Sequence, residues 1–193
     1  KEAFEKLSRV LEQRDRQIEL MLSRLPGGML ICGADNNFTS KWISDSLCSL
    51  LGYDGPEEFE QLTGGSGHGY ILAEDYESVW ENIKQKLDRG ESYSLEYRVM
   101  CKDGSVLWVS DIGEKAEYPD GQDAIYCFIS DITERKQKQM EMDAVNQEVR
   151  RQAEFLTQLY DTIPCGILQF TTDPSHKIVN LNRMVWEFYG FSS

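Results

Sequence analysis

The chain has 193 residues, 40% of them hydrophobic, which is enough apolar material for one folded domain with accessory segments. Its 20 basic and 33 acidic residues give a formal charge of -13, which argues against nucleic acid or an anionic membrane as the main partner. Five cysteines without paired spacing favour a reducing, cytoplasmic location. No stretch has the pattern of a membrane span or a signal peptide, so we expect no membrane contact within this chain, and an anchor elsewhere in a longer protein is compatible with that.

The first expected element is an amphipathic signalling helix over residues 1–24. Apolar residues recur along it in alternating steps of three and four, the a/d pattern of a coiled coil. This seam consists of Phe4, Leu7, Leu11, Arg14, Ile18, Met21 and Leu25. A seam of about three heptads is longer than one domain face needs, which favours a helical homodimer over packing of the helix on its own domain.

Residues 25–133 have the pattern of a complete α+β domain. Strands are predicted at residues 27–33, 38–42, 93–101, 106–112 and 124–130, and helices at 45–51, 56–62 and 74–89. Gly52 and Gly90 follow two of these helices as stop signals, and turn-rich segments at residues 102–105 and 118–121 join the last three strands. The order predicts a five-stranded antiparallel sheet with helices on one face.

A second helix, over residues 134–162, leads into a partial repeat of the first unit. Pro164 repeats Pro26 and Gly190 repeats Gly52 at one constant offset, without a gap between them. The helix has its own seam: Met142, Val145, Val149, Gln152, Leu156, Leu159 and Ile163. Residues 163–193 are therefore expected to begin a second, truncated unit, with strands at 165–170 and 177–181 whose edges and apolar side chains lack cover.

Several motifs in the second half of the first unit resemble PAS domains, in the part known as the PAC motif. They are Glu96-Tyr97-Arg98, Lys102-Asp103-Gly104-Ser105, Leu107-Trp108-Val109, Asp120-Gly121, and the ending Ile129-Ser130-Asp131-Ile132-Thr133 that runs into a charged helix. The resemblance covers about residues 25–136, and residues 163–193 look like the opening of a second PAS domain. It implies a bacterial sensory and dimerisation module that passes a signal through its helices to a covalently linked output domain of the histidine kinase or diguanylate cyclase type.

The resemblance also limits the cofactors. Haem-binding relatives place the iron ligand on the long helix, whereas His68 precedes that helix, and the light-sensing relatives need a cysteine motif where this chain has residues 55–60. We therefore expect neither haem nor flavin. Two histidines and scattered cysteines predict no metal site, and the glycine-rich loop from Gly64 lacks the lysine of a phosphate-binding loop. No catalytic grouping is recognisable, so the chain is expected not to be an enzyme.

The family pattern defines a candidate ligand pocket on the helix-covered face of the sheet. Its residues are Leu47, Leu51, Trp80, Tyr97, Val99, Val109, Asp111, Cys127 and Ile129, while Trp108, Tyr126 and Phe128 point to the other face. Two interpretations stay open: a filled core, which the bulky side chains favour, or a cavity for an unidentified small molecule. Asp111 either turns inward and needs a partner, or escapes to solvent at a bulge, which the rarity of buried unpaired carboxylates favours.

Signal coupling is expected where the sheet meets the second helix. Asp131 and Glu134 have the spacing of a capping box, with Asp131 as N-cap and Glu134 three residues into the helix. In the family the same Asp and Thr couple sheet to helix, so Asp131, Thr133 and Glu134 are the predicted coupling residues, with Arg98 as an ion partner of Asp131. Residues 72–75 depart from the His-Pro-x-Asp of relatives and predict no site. Two functions remain: a ligand-binding sensor, and a ligand-free dimerisation and relay domain.

Overall fold

The computed structural model describes residues 26–190 of the chain. The predicted N-terminal helix at residues 1–24 and its dimer seam therefore lie outside the described residues. The chain divides into two compact units, one ending at Lys136 and the other spanning Gln137–Ser193. Within residues 26–190, no helix combines the length and the apolar character that crossing a bilayer requires.

The first unit is a sheet covered by short helices. In chain order it contains β1 Gly28–Gly33, β2 Ser40–Ile43, α1 Asp45–Leu50, α2 Pro56–Thr63, a 3-10 turn at Gly67–Gly69, α3 Ala73–Leu87, β3 Tyr93–Met100, β4 Val106–Glu117 and β5 Asp123–Asp131. The strand order is β2-β1-β5-β4-β3, and every neighbouring pair is antiparallel. The predicted five-stranded antiparallel sheet with helices is confirmed.

Local chemistry brings α1 against the start of the sheet. Ser44 precedes α1 and its Oγ accepts the N–H of Leu47 at 3.3 Å and the N–H of Met29 at 2.9 Å, so one hydroxyl joins the helix to β1. Gly28 allows this approach, because a Cβ at that position would overlap the backbone nitrogen of Leu47. The sequence Gly-Met-Leu followed by a serine cap thus fixes where α1 packs.

The core lies between the sheet and the helices. Phe59 of α2, Val79 and Ile83 of α3, and Tyr70 and Ile71 before α3 close over the inner face of the sheet. On the outer face Trp108, Tyr126 and Phe128 are half-buried, as the predicted alternation requires, and Ile112 is exposed. Packing is therefore concentrated on one side of the sheet.

The second unit contains most of a long helix and a short hairpin. Helix α4 spans Thr133–Thr162, and β6 Leu168–Phe170, β7 Ile178–Leu181 and α5 Arg183–Phe188 follow it. The strands are shorter than predicted because the paired ladder begins only at Leu168. Apolar side chains of the hairpin are exposed: Leu168 is 41% accessible, against 1% for its counterpart Leu30 in the first unit.

The internal repeat extends to strand register. Leu168 pairs with Leu181 and Gln169 with Asn180, then the register shifts and Phe170 pairs with Ile178. The equivalent pairs of β1 and β2 in the first unit show the same shift: Leu30 with Ile43, Ile31 with Trp42, and Cys32 with Ser40. The side-chain bond back to the first strand is repeated as well, since Asn182 Oδ1 accepts the N–H of Ile167 at 2.8 Å as the Ser44 hydroxyl does for Met29.

Candidate functional site

The predicted pocket face is filled by side chains. Of its nine residues, eight are no more than 3% exposed: Leu47, Leu51, Tyr97, Val99, Val109, Asp111, Cys127 and Ile129. Trp80 is partly buried and packs on the edge of the same core, with Lys84 Nζ 4.6 Å from its ring centroid. This geometry matches the filled-core interpretation of the inner face, because packing of this kind leaves little room for a ligand.

An open cleft of about 660 Å³ lies beside that face rather than on it. The turn between β1 and β2, the second half of α3 and the hairpin between β4 and β5 line it, and Trp80 is the only predicted pocket residue among the lining residues. Ile83, Leu87 and Ile125 supply apolar surface. Its lysines already have partners: Lys41 pairs with Asp120 at 2.7 Å, for example. Sequence reasoning missed this cleft because pairing of β1 with β5 brings together segments from opposite ends of the domain.

The favoured placement of Asp111 in solvent is wrong. Asp111 is 2% exposed and points into the core, where the Tyr97 hydroxyl donates to Oδ2 at 2.9 Å and the Tyr93 hydroxyl lies 3.2 Å from the same oxygen. Burial raises the pKa of this carboxyl to about 7, and the two tyrosine hydrogen bonds hold it from rising further. Gly113, opposite Tyr93 on β4, leaves room for that hydroxyl, since a Cβ there would overlap it.

The predicted ion pair between Arg98 and Asp131 is also wrong. The Arg98 guanidinium donates to Asp75 through Nη2 at 2.6 Å and Nε at 3.0 Å, and it donates to Glu74 at 3.0 Å. Asp75 also accepts the backbone N–H of Arg98 at 3.0 Å. The side-chain hydrogen bond from Arg98 lowers the pKa of Asp75 more than burial raises it. The first turn of α3, for which the sequence predicted no role, is thus fastened to β3.

Asp131 and Thr133 do meet at the end of the sheet, but Asp131 is not the N-cap of the predicted capping box, because Ile132 separates it from the helix. Asp131 Oδ1 accepts the N–H of Thr133 at 2.7 Å. Ile132 still bonds to the sheet, because its N–H donates to the carbonyl of Trp108 at 2.8 Å. Helix α4 therefore begins at Thr133, and Glu134 is its second residue rather than its third. Thr133 Oγ1 in turn accepts the N–H of Trp108 at 3.0 Å.

Residues that were not predicted to couple the sheet to the helix complete this junction. Glu96 on β3 binds both Arg135 and Lys136, the latter at 2.7 Å, and these cations lower the pKa of its carboxyl. Lys136 Nζ also lies 4.9 Å from the centroid of the Trp108 ring. We call the set Glu96, Trp108, Asp131, Thr133 and Lys136 the exit clamp. Strand alternation puts Glu96 on the same outer face as Trp108, which is the signal that could have identified it.

The Trp108 ring connects the exit clamp with α3. Arg98 lies across from Trp108 in the ladder between β3 and β4, and its guanidinium carbon is 5.9 Å from the ring centroid. The same guanidinium holds Asp75 at the start of α3. A continuous row of contacts therefore runs from α3 through Arg98 and Trp108 to the first turn of α4.

Comparison with known proteins agrees with this architecture. Residues 41–129 match the family model described as PAS fold. A structure of a sensory box histidine kinase/response regulator from Burkholderia thailandensis is 21% identical with a TM-score of 0.55, covering 70% of this chain and 98% of its own. The PAS domain of an HTR-like protein from Haloarcula marismortui is 22% identical with a TM-score of 0.52, covering 66% and 99%. No curated protein matches the chain. The sheet, its helical cover and the family match together show that the first unit of this chain has the PAS fold.

Proposed function

We propose that this chain is a sensory signalling module in which the PAS domain passes its state through the exit clamp to helix α4. The observation that carries the proposal is the attachment of the first turn of α4 to the outer face of the sheet. Hydrogen bonds join Asp131 and Trp108 to Thr133, and ion pairs join Glu96 to Arg135 and Lys136. A movement of β3 or β4 would therefore displace the base of a 30-residue helix.

The surface of α4 supports pairing with a second copy of the chain. Its seam residues are exposed, for instance Met142 at 67% and Leu156 at 64%. Such a stripe in about 45 Å of helix favours a parallel homodimer, in which each seam residue meets its own copy. The polar Gln152 in the seam supports one register, as polar residues at such positions do in coiled coils. The homodimer would align the two exit clamps side by side.

The second unit supports a tandem arrangement. The strand register, its irregularity and the side-chain bond from the residue before the following helix to the first strand segment all repeat those at the start of the PAS domain. We assign residues 163–193 as the beginning of a second PAS domain, which makes α4 a helix that connects two sensory domains. The output domain, of the histidine kinase or diguanylate cyclase type, would follow in the polypeptide, and the chain described above would be a cytoplasmic, non-enzymatic input segment.

A ligand-binding sensor is the second candidate, and the cleft of about 660 Å³ favours it. Its volume falls in the range of small-molecule sites, and it borders α3, whose first turn is tied to Arg98. The filled inner face favours ligand-free relay instead. Native mass spectrometry of the purified chain separates the two, because a retained small molecule supports the sensor and a mass equal to the polypeptide alone supports relay.

The relay proposal is tested by loosening the exit clamp without touching the core. Glu96→Gln removes the acceptor charge for Arg135 and Lys136, whereas Glu91→Gln, the control, removes an exposed carboxylate that pairs with Lys86. We expect faster hydrogen exchange at residues 133–140 and altered activity of an output domain fused after α4 only for Glu96→Gln. Equal exchange and equal activity in both variants would contradict the relay.

A further inference from the structure

The core contains a polar cluster that neither the dimer nor the relay requires. Asp111 on β4 lies between the hydroxyls of Tyr93 and Tyr97 on β3, and the Tyr93 hydroxyl is 3.0 Å from Cys127 Sγ on β5. All four side chains are buried in the filled face of the sheet. A buried charged group is usually paired with a group of opposite charge. The partners of the Asp111 carboxyl therefore decide whether it is ionised or protonated.

No cation compensates Asp111 in the described part of the chain. The ion pairs found among residues 26–190 do not include it, and its hydrogen-bond partners are the two tyrosine hydroxyls. The titratable groups around Asp111 are tyrosines and cysteines, which carry no positive charge. They are Tyr93 and Tyr97 on β3, Cys127 on β5, Cys32 on β1, and Tyr70 before α3, with Tyr76 of α3 behind Tyr70. An ionised Asp111 would therefore be an isolated charge in the core.

We propose that Asp111, held between Tyr93 and Tyr97, is a proton-binding site through which the packing of the PAS core responds to pH near neutrality. On release, the O–H bond of the carboxyl breaks and the proton passes to water, leaving the carboxylate in the core. Burial sets the pKa of this group at about 7, so the exchange falls in the physiological range.

The hydroxyl of Tyr93 gives the site a structural readout. A tyrosine hydroxyl has one proton to donate, and Tyr93 has both Asp111 and Cys127 Sγ within reach. When Asp111 is ionised, it accepts from Tyr93 and Tyr97 together. When Asp111 is protonated, it can donate to the Tyr93 oxygen, and Tyr93 then donates to Cys127. Protonation of Asp111 thus changes which residue, Asp111 on β4 or Cys127 on β5, accepts the hydrogen bond from the Tyr93 hydroxyl.

The site is tested by following the Asp111 side-chain carboxyl carbon by NMR in the full chain, with the signal assigned by its loss in Asp111→Asn. We expect a titration midpoint near pH 7, raised by about one unit in Tyr97→Phe, because that variant removes a bond that stabilises the carboxylate. A midpoint below pH 5, the range of an ordinary aspartate, would overturn the proposal. The wild-type titration decides the matter even if Tyr97→Phe fails to fold.

The packing response is measured by hydrogen exchange of β3 and β5 between pH 6 and pH 8, corrected for intrinsic exchange. We expect protection to fall as pH rises in the wild type and to stay level in Asp111→Asn. Asp111→Asn keeps both His68 and His176, so an equal response in the two proteins would assign the effect elsewhere and overturn the proposal. Both measurements concern the core alone, so they stand or fall independently of pairing through α4.

Discussion

Replacing Asp111 by Asn should change how the stability of the PAS domain depends on pH. The substitution keeps the shape of the side chain and leaves an amide that the tyrosine hydroxyls can still bond. In the folded wild type the pKa of Asp111 is raised from 3.8 to about 7. Between these values the folded state holds a proton that the unfolded state has released, so the free energy of unfolding falls as pH rises.

The size of the effect follows from the shift. About three pKa units at 1.36 kcal/mol each give a loss of up to about 4 kcal/mol between pH 4 and pH 8, and relaxation of the core reduces this ceiling. Asp111→Asn has no such dependence. Its unfolding free energy relative to wild type should therefore increase by about 2 to 4 kcal/mol over that range.

Urea denaturation followed by tryptophan fluorescence at pH 4.5 and pH 8 measures this difference. The control, Glu81→Gln, makes the same carboxyl-to-amide change on the exposed side of α3 and should leave the pH dependence as in wild type. If Asp111→Asn shifted stability equally at both pH values, Asp111 would not hold a proton in the folded state, and the reasoning from burial would be refuted.

Two further predictions concern packing and the fastening of α3. Asp75→Ala should lower the free energy of unfolding by about 2 kcal/mol, because three hydrogen bonds to Arg98 are lost. Glu74→Ala removes one exposed contact with Arg98 and should be nearly neutral. Thermal melts of the two variants compare them directly. Gly28→Ala should cost about 3 kcal/mol, since its Cβ would overlap the backbone of α1, while Gly55→Ala enters open space; equal urea midpoints for the two alanines would contradict this.

The helices and strands of the first unit could be predicted from the sequence because they have clear hydrophobic periodicity and are bounded by turn residues. The strand β4 is the exception: residues 113–117 read Gly-Glu-Lys-Ala-Glu, which has no apolar alternation, yet pairing with β5 extends β4 to Glu117. Backbone hydrogen bonds to β5 form this part of β4, since the pairing of the two strands continues to the turn at Tyr118. Backbone pairing can thus lengthen a strand where side chains give no signal.

The candidate site was predictable in part. The tight turn after Met100 fixes the register of β3 and β4, and that register puts Tyr93 and Tyr97 on either side of Asp111, so the sequence did contain partners for the buried carboxyl. Arg98 was different, because its partner Asp75 lies 23 residues away across a loop whose path no local pattern fixes. Glu96 was missed for a similar reason: its partner Lys136 lies beyond two further strands, and their contact depends on the direction in which α4 leaves the sheet.

Electron-spin distance measurements with a nitroxide on Cys165 test most directly whether two copies of α4 pair in parallel. This thiol is exposed, whereas Cys32, Cys48, Cys101 and Cys127 are buried, so the native chain carries one accessible labelling position shortly after the end of α4. A parallel homodimer predicts a distance below about 30 Å between the two nitroxides at a protein concentration of tens of micromolar. This short distance should disappear in Val149→Asp, because the variant places a charge in the seam. A distance of about 45 Å, the length of α4, would show antiparallel helices, and the absence of any dipolar signal would show a monomer; either result would contradict the proposed relay through paired α4 helices.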